Sequence, residues 1–242
     1  MYMMKCDVVC CFYKQQLSWP LLRWGFNENA AFIEKVIVVN DGPAEELDVL
    51  RELEVPLVRL GHEKKGFGLA KSANQGIAAS TTDFVLLVEG DEILPSDSLA
   101  RSILHAEDGL LLCCRKRYID YHTHILDLPN VKFVEEDHRG TKWKWECEPT
   151  EKWKMCSGGH LLISRYAHDL IGGFDESYEY GLHDYDYAAR WMARFGKDAV
   201  VFGPQLGEVW HIGNNAHRTN PTPSEESQRR FENTLRTTGL MR

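Results

Sequence analysis

The sequence predicts an α/β fold, a mostly parallel sheet with helices on both faces. Two observations predict it. Short runs that are apolar throughout recur along the chain, which is how strands buried on both faces read. Each run is followed by a turn signal or an acidic cluster and then by a helical segment, the alternation of parallel strands joined by crossover helices.

Taken in order, Asp7 to Tyr13 reads as a buried strand and Trp19 to Asn29 as a helix. Lys35 to Val39 is a second apolar strand, stopped by the turn Asn40-Asp41-Gly42-Pro43. A helix over Glu45 to Leu53 leads to a third strand, Pro56 to Leu60. Gly66 to Ala79 reads as a helix with a glycine-rich entry, and Asp83 to Val88 as a fourth strand running into Glu89-Gly90-Asp91-Glu92. A helix at Ser96 to Ala106 and a strand at Gly109 to Cys114 follow. Tyr118 to Met155 breaks the pattern, with three tryptophans, many charges and no period, and reads as a long loop, hairpin or insertion. Gly158 to Ser164 restarts a strand, Asp184 to Phe195 is a helix and Ala199 to Phe202 a short strand. Thr222-Pro223-Ser224-Glu225 fits a capping box with proline in the first helical position, opening a terminal helix to Leu235.

Composition narrows the function classes. The chain has 242 residues, enough for one large domain or two small ones, and 43% of them are hydrophobic, which excludes a disordered or fibrous chain. With 28 basic against 36 acidic side chains the formal net charge is -8, which argues against general nucleic-acid binding but leaves room for a local basic pocket. The apolar stretch from Val8 to Tyr13 is too short for a leader core, and no segment reaches the roughly 18 apolar residues of a membrane span. A cytoplasmic location is expected. The seven cysteines fit it: Cys10-Cys11 and Cys113-Cys114 are neighbours that a strand would point to opposite faces, and they read as buried reduced thiols.

The residues that can carry chemistry lie where strands end. In open parallel sheets, ligands bind outside the carboxyl ends of the strands. Asp41 follows the second strand; Glu89, Asp91 and Glu92 follow the fourth. Three clustered carboxylates repel unless something positive neutralises them, and a hard cation such as Mg²⁺ or Mn²⁺ suits oxygen donors facing a crevice. The alternative is that these acids cap helices or form turns. Further along, Asp184 either carries chemistry or caps its helix, and His211 either binds metal or fills the core. Trp143, Trp145 and Trp153 either stack on a sugar face or cover the sheet edge. His122 and His124, near Asp120 and Asp127, have residue types that suit zinc, but a solvated loop is the favoured reading.

The order of these motifs resembles the family 2 glycosyltransferases, nucleotide-sugar-dependent enzymes of the GT-A fold, from about Asp7 to Gly213. Val38-Val39-Asn40-Asp41-Gly42 is similar to the family's V-V-D-D-G turn, Gly66 to Ala70 with Asn74 to Ile77 to its G-x-x-x-A…N-x-G-I segment, and Glu89-Gly90-Asp91-Glu92 to its D-x-D region. Gly172-Gly173-Phe174-Asp175-Glu176 resembles its G-G-F-D-E element, Gly181 to Arg190 its G-x-E-D-x-D-L-x-x-R element, and Val209-Trp210-His211 its late histidine.

The resemblance implies residues 1–213 as a single GT-A domain, with 1–115 binding the nucleotide sugar and 116–213 facing the acceptor, and 214–242 as a tail with a terminal helix. It implies Asp41, Lys71, Asn74, Glu89 and Gly90 at the nucleotide sugar, Asp91 and His211 at Mn²⁺ or Mg²⁺, and Asp184 as catalytic base. On the acceptor side it implies Trp143, Trp145, Gly159 and His183. The sequence departs from the family pattern with Glu89 for the first aspartate, Asn40 for an acid, and His183 for the glutamate beside the base. Ser72-Ala73-Asn74 stands where many relatives carry A-R-N, so the phosphate-contacting arginine is missing there, and Lys64, Lys65 or Lys71 either supplies that charge or forms a solvated basic loop. The implied activity is metal-dependent, inverting sugar transfer to a hydroxyl of a glycan or other acceptor. Two alternatives are a catalytically inactive sugar-nucleotide-binding module, and a nucleotidyltransferase of similar fold. The latter would need a glycine-rich loop after the first strand, where Phe12 to Gln16 has no glycine.

Overall fold

β1 (Cys6–Phe12) is buried along its whole length, and its side chains divide between two cores. Val9 and Cys11 face one; Cys6, Val8, Cys10 and Phe12 face the other. This two-residue alternation with apolar groups on both sides is what makes the strand read as continuously hydrophobic. The computed structural model describes residues 4–13, 18–40, 50, 53–61, 68–119, 133–134, 148–156, 159–178, 181–212 and 223–241.

The remaining strands are β2 (Ile33–Asn40), β3 (Leu57–Gly61), β4 (Phe84–Glu89), β5 (Glu92–Ile93), β6 (Leu111–Cys113), β7 (Arg115–Ile119), β8 (Phe133–Val134), β9 (Leu161–Ser164), β10 (Val200–Phe202) and β11 (Glu208–Ile212). Seven of them form one sheet in the order β10-β6-β9-β4-β1-β2-β3, and four form a second in the order β5-β11-β7-β8. In the large sheet β9 alone runs antiparallel to its neighbours, β4 and β6; the other pairings are parallel. This is the mixed, mostly parallel sheet expected from the sequence.

Among the described residues six α-helices complete the layers: α1 (Trp19–Glu28), α2 (Leu69–Ala78), α3 (Ser98–Ile103), α4 (Arg165–Leu170), α5 (His183–Phe195) and α6 (Glu225–Thr237). α1 and α3 cover one face, through Trp19, Leu22 and Phe26 and through Leu99 and Ile103. α2, α4, α5 and α6 contribute to the core on the other. No helix among the described residues is long and apolar enough to cross a membrane.

Several boundaries differ from the sequence reading. The terminal helix is capped by Ser224, whose hydroxyl accepts the Ser227 N–H at 3.1 Å, so the helix starts after Pro223 rather than at it. Its Phe231 and Leu235 are buried in the main core. α3 is shorter than expected, because Asp97 is left-handed (φ 66°) ahead of it. α4 and the second sheet were not expected. The helix read over Glu45 to Leu53 falls mostly outside the described residues. None of the six described cysteines is in a disulfide, and all are buried.

Two core histidines make the fold sensitive to acid. Burial pushes the His160 imidazole down to about 3 and the His168 imidazole down to about 4. His168 Nδ1 lies 2.9 Å from the Tyr187 hydroxyl, and His160 Nε2 lies 3.1 Å from Ser102 Oγ. An unfolded histidine protonates near 6.5, so below that pH the unfolded chain binds protons that the folded chain refuses. The stability is therefore complete above pH 6.5 and lost as pH falls toward 4, by about 1 kcal/mol per pH unit per histidine. Urea denaturation should find the chain less stable at pH 5 than at pH 7, and His168→Gln should flatten that fall. Equal stability at both pH values in the wild type would contradict it.

Candidate active site

The large sheet reverses its winding between β1 and β4. From β1 the chain adds β2 and β3 on one side, then returns to place β4 on the other. Such a switch point leaves a crevice at the carboxyl ends of the two strands. Cys11 pairs with Glu89 there, and the Gly90 N–H continues the ladder by donating to Cys11 O at 2.9 Å. Beside it lies a small cleft, lined by Leu69 and Ala73 of α2, Glu89, Gly159, and His183 and Asp184 of α5.

The second sheet supplies the other wall. β5 pairs antiparallel with β11, setting His211 opposite Glu92, and the Ile212 N–H donates to Asp91 O at 3.0 Å. β11 runs parallel to β7, setting His211 beside Tyr118, whose ring meets the imidazole edge-on with centroids 5.5 Å apart. Glu89, Asp91 and His211 thereby bring one donor atom each to within 4.8 Å of one another. His211 Nε2 stands 3.8 Å from Asp91 Oδ2. Two carboxylates and an imidazole, partly sheltered from water, fit a divalent ion such as Mn²⁺ or Mg²⁺ by donor chemistry. Glu89 belongs to both groups: it is part of this cluster and part of the cleft wall that includes Asp184.

α5 turns its two acids to different sides. Asp184 and Asp186 are two residues apart, about 200° around a helix, and so point to nearly opposite sides. Asp184, in the first turn, faces the cleft; its Oδ1 accepts the Tyr185 N–H at 2.9 Å. It is not the N-cap, a place taken by the left-handed Leu182 (φ 63°). Asp186 faces inward. It accepts Arg190 Nε at 2.7 Å, Thr234 Oγ1 at 2.6 Å and the Tyr178 hydroxyl at 3.2 Å. Arg190 in turn donates to the carbonyls of Ile171 and Gly173, so this ion pair holds the glycine loop and α6 against α5. Burial lowers the His183 pKa, against the pull of Asp184 and Asp186, and keeps its ring neutral.

A family model described as glycosyl transferase family 2 matches residues 25–169. The chain belongs to that family. The matched span ends before Asp184 and His211, whose places in the structure rest on the geometry above. Solved structures agree on the fold. The chain resembles GalNAc-T7 with UDP, GalNAc and Mn²⁺ (13% identity, TM-score 0.71, covering 97% of this chain and 48% of that one). It also resembles the mannosyltransferase PcManGT from Pyrobaculum calidifontis in complex with GDP-Man and Mn²⁺ (15%, 0.65, 91% and 59%). A third is S. aureus TarS 1-349 in complex with UDP (14%, 0.65, 97% and 65%). The chain thus spans about half to two thirds of the length of each. No match was found among curated proteins.

The other residues singled out from the sequence fall variously in this family 2 fold. Asn74 is held in a clamp: its Oδ1 accepts the Phe174 N–H at 2.8 Å, and its Nδ2 donates to Phe174 O and Glu176 Oε1, each at 2.9 Å. These bonds fix the Gly173–Glu176 loop and occupy the amide that the sequence reading aimed at the donor. Lys71 is half-buried on α2 and is not among the residues lining the cleft. Trp153 is packed between Tyr185 and Phe231, at 5.4 and 4.9 Å, as hydrophobic cover. Asp41, Lys64, Lys65, Trp143 and Trp145 lie outside the described residues.

Two interior residues escaped the sequence reading, Lys116 and His160, and Glu92, read there as one of three clustered acids, has a different place from the other two. Glu92 is fully buried, its Oε2 accepts the Glu89 N–H at 3.0 Å, and Lys116 Nζ stands 2.6 Å from its Oε1. The signal for Lys116 was present, since in Arg115-Lys116-Arg117-Tyr118 a strand's alternation turns Lys116 and Tyr118 to one face. Gly159, expected at the acceptor, is also what makes room for Glu92. A Cβ there would sit 1.3 Å from Glu92 Oε2 and 2.9 Å from the Glu89 nitrogen. Gly159→Ala should therefore push the carboxylate off the Glu89 N–H and cost about 1–3 kcal/mol. Urea denaturation measures this, and an unchanged midpoint would mean the carboxylate is not held there.

Proposed function

We propose that this chain is a metal-dependent, inverting glycosyltransferase that moves a sugar from a nucleotide diphosphate sugar to an acceptor hydroxyl. The observation that carries the reading is the double membership of Glu89, in the cluster with Asp91 and His211 and in the cleft with Asp184. Membership of family 2 supports it, and so do the nucleotides and Mn²⁺ in structures of similar fold.

Sugar transfer needs the leaving diphosphate stabilised and the acceptor hydroxyl deprotonated. Asp91 and His211, with Glu89 beside them, hold the divalent ion, which when bound supplies Lewis-acid stabilisation of the diphosphate oxygens. Glu89 and Gly90 sit at the diphosphate end of the donor, and Asp41 takes the nucleotide base. Lys71 adds positive charge on the donor side. Asp184 is the general base, worth about 10²–10⁴-fold in rate. Its place in the first turn of α5 suits a carboxylate, since the helix N-terminus favours negative charge. The neutral ring of His183 beside it, Gly159, and the tryptophans Trp143 and Trp145 form the acceptor side. A single base opposite a single leaving group gives one displacement, with inversion at the anomeric carbon. The acceptor is a glycan or another hydroxyl-bearing molecule, and the cation is Mn²⁺ or Mg²⁺.

The test begins with a thermal-shift panel of nucleotide diphosphate sugars with and without Mn²⁺, which picks the donor. With that donor, Asp184→Asn should retain binding and lose turnover by about 10²–10⁴-fold, read as release of nucleoside diphosphate. Full activity in the variant would assign the base elsewhere. No turnover in the wild type would instead make the chain a binding module. Asp91→Asn should abolish the Mn²⁺-dependent part of the shift given by UDP or GDP, and an unchanged shift would remove Asp91 from the ion.

A further inference from the structure

Behind the acid cluster lies a charged pair that the chemistry above does not use. Glu92 is 0% exposed and Lys116 7%, and they come from different strands of the second sheet, β5 and β7, on either side of β11. The Lys116 Nζ to Glu92 Oε1 distance is 2.6 Å. The second Glu92 oxygen is spent on the main chain of the cluster, accepting the Glu89 N–H at 3.0 Å. Glu92 is thus a clasp that reaches back three residues to close the Glu89-Gly90-Asp91 turn upon itself. The clasp is possible only because residue 159 is glycine, whose missing Cβ leaves the space that the carboxylate fills.

Two physical requirements meet in this pair. Glu89, Asp91 and Glu92 put three carboxylates into four consecutive residues, and Asp91 is 1% exposed, so their repulsion is poorly screened by water. A fixed positive charge is required close by. Burial opposes the charge on both partners and pushes the Glu92 carboxyl up against the pull of Lys116, while at Lys116 the Glu92 and Glu89 carboxylates outweigh burial and raise its pKa. The second requirement is aim: donor atoms on a four-residue turn and on a separate strand must converge on one point. β11 carries His211 and lies between the strands that carry Glu92 and Lys116. The pair therefore spans the strand that brings the imidazole, and ties it to the turn that brings the carboxylates.

We propose that the buried Glu92–Lys116 pair is the positioning device of the divalent-cation site, closing the Glu89–Asp91 turn and holding it in register with His211. Neither residue touches the ion. The inference rests on the metal-dependent reading above and adds to it two residues that set the geometry of the ligands. Partners behind metal ligands commonly change affinity by about 10–100-fold when removed, and that is the effect the pair should show.

The experiment uses the whole chain without donor, and reads Mn²⁺ affinity from the electron paramagnetic resonance signal of the free ion. Far-UV circular dichroism melts in the absence of metal establish folding. Glu92→Gln leaves Lys116 buried without a counter-charge and could unfold the chain. The deciding variant is therefore Glu92→Leu/Lys116→Met, because an apolar pair of similar volume in place of a buried ion pair is often neutral for stability. The expected result is a double variant that melts near the wild type and binds Mn²⁺ about 10–100-fold more weakly. A pair that served stability alone would shift the melt and leave the affinity of the folded chain unchanged. Wild-type affinity in the folded double variant overturns the inference and leaves the metal-dependent reading standing. A wild-type chain that binds no Mn²⁺ overturns both.

Discussion

The mutual repulsion of Glu89, Asp91 and Glu92 is the constraint around which this end of the molecule is built. Carboxylates so close, one of them fully buried and another nearly so, would disperse or pick up protons in a weakly screened interior unless positive charge were supplied. The fold supplies one such charge permanently, in Lys116, and offers a second place for one between Glu89, Asp91 and His211. Removing a single partner from a buried ion pair costs about 3–5 kcal/mol, so the lysine is as much a condition of the turn as the backbone is.

The topology explains why the acids accumulate here. The large sheet delivers Glu89 at the end of β4, next to β1, where the winding reverses and a crevice must open. The small sheet delivers His211 and Lys116 from β11 and β7. Asp91 sits between the sheets, its carbonyl bonded to β11. The opposite wall is built by ring packing, an amide clamp and one ion pair. Phe174 stacks on Tyr187 at 3.9 Å, the Asn74 amide grips Phe174 from α2, and the Asp186–Arg190 pair ties the same loop to α5. That packing anchors α5, and so sets where Asp184 meets the cleft.

Much of the fold was legible because buried parallel strands leave an unmistakable pattern. Runs such as Val36 to Val39 and Val85 to Val88 are apolar on both faces and lie between helical segments. The second sheet was not legible. β5 has two residues, and β7 carries Arg115, Lys116 and Arg117, whose charges mask an alternation that buries only the middle one. Asp91 and Asp184 could be singled out as acids at element ends, where ligands gather. Glu92 could not be told from them, because its role comes from a lysine 24 positions away in sequence and a glycine further still. The Asn74 amide was read toward the donor, while the fold spends it on the Phe174 backbone; a sequence cannot show which of an amide's hydrogen bonds are already taken.

The central claim is that one ion is held by Asp91 and His211, with Glu89 beside them, at the mouth of the cleft that Asp184 lines. Anomalous diffraction at the manganese edge, from crystals grown with Mn²⁺ and UDP or GDP, tests it directly. The account predicts a single strong peak within coordination distance of Asp91 and His211, with diphosphate density beside it on the cleft side. A peak elsewhere, or nucleotide density that bypasses this cluster, would contradict it.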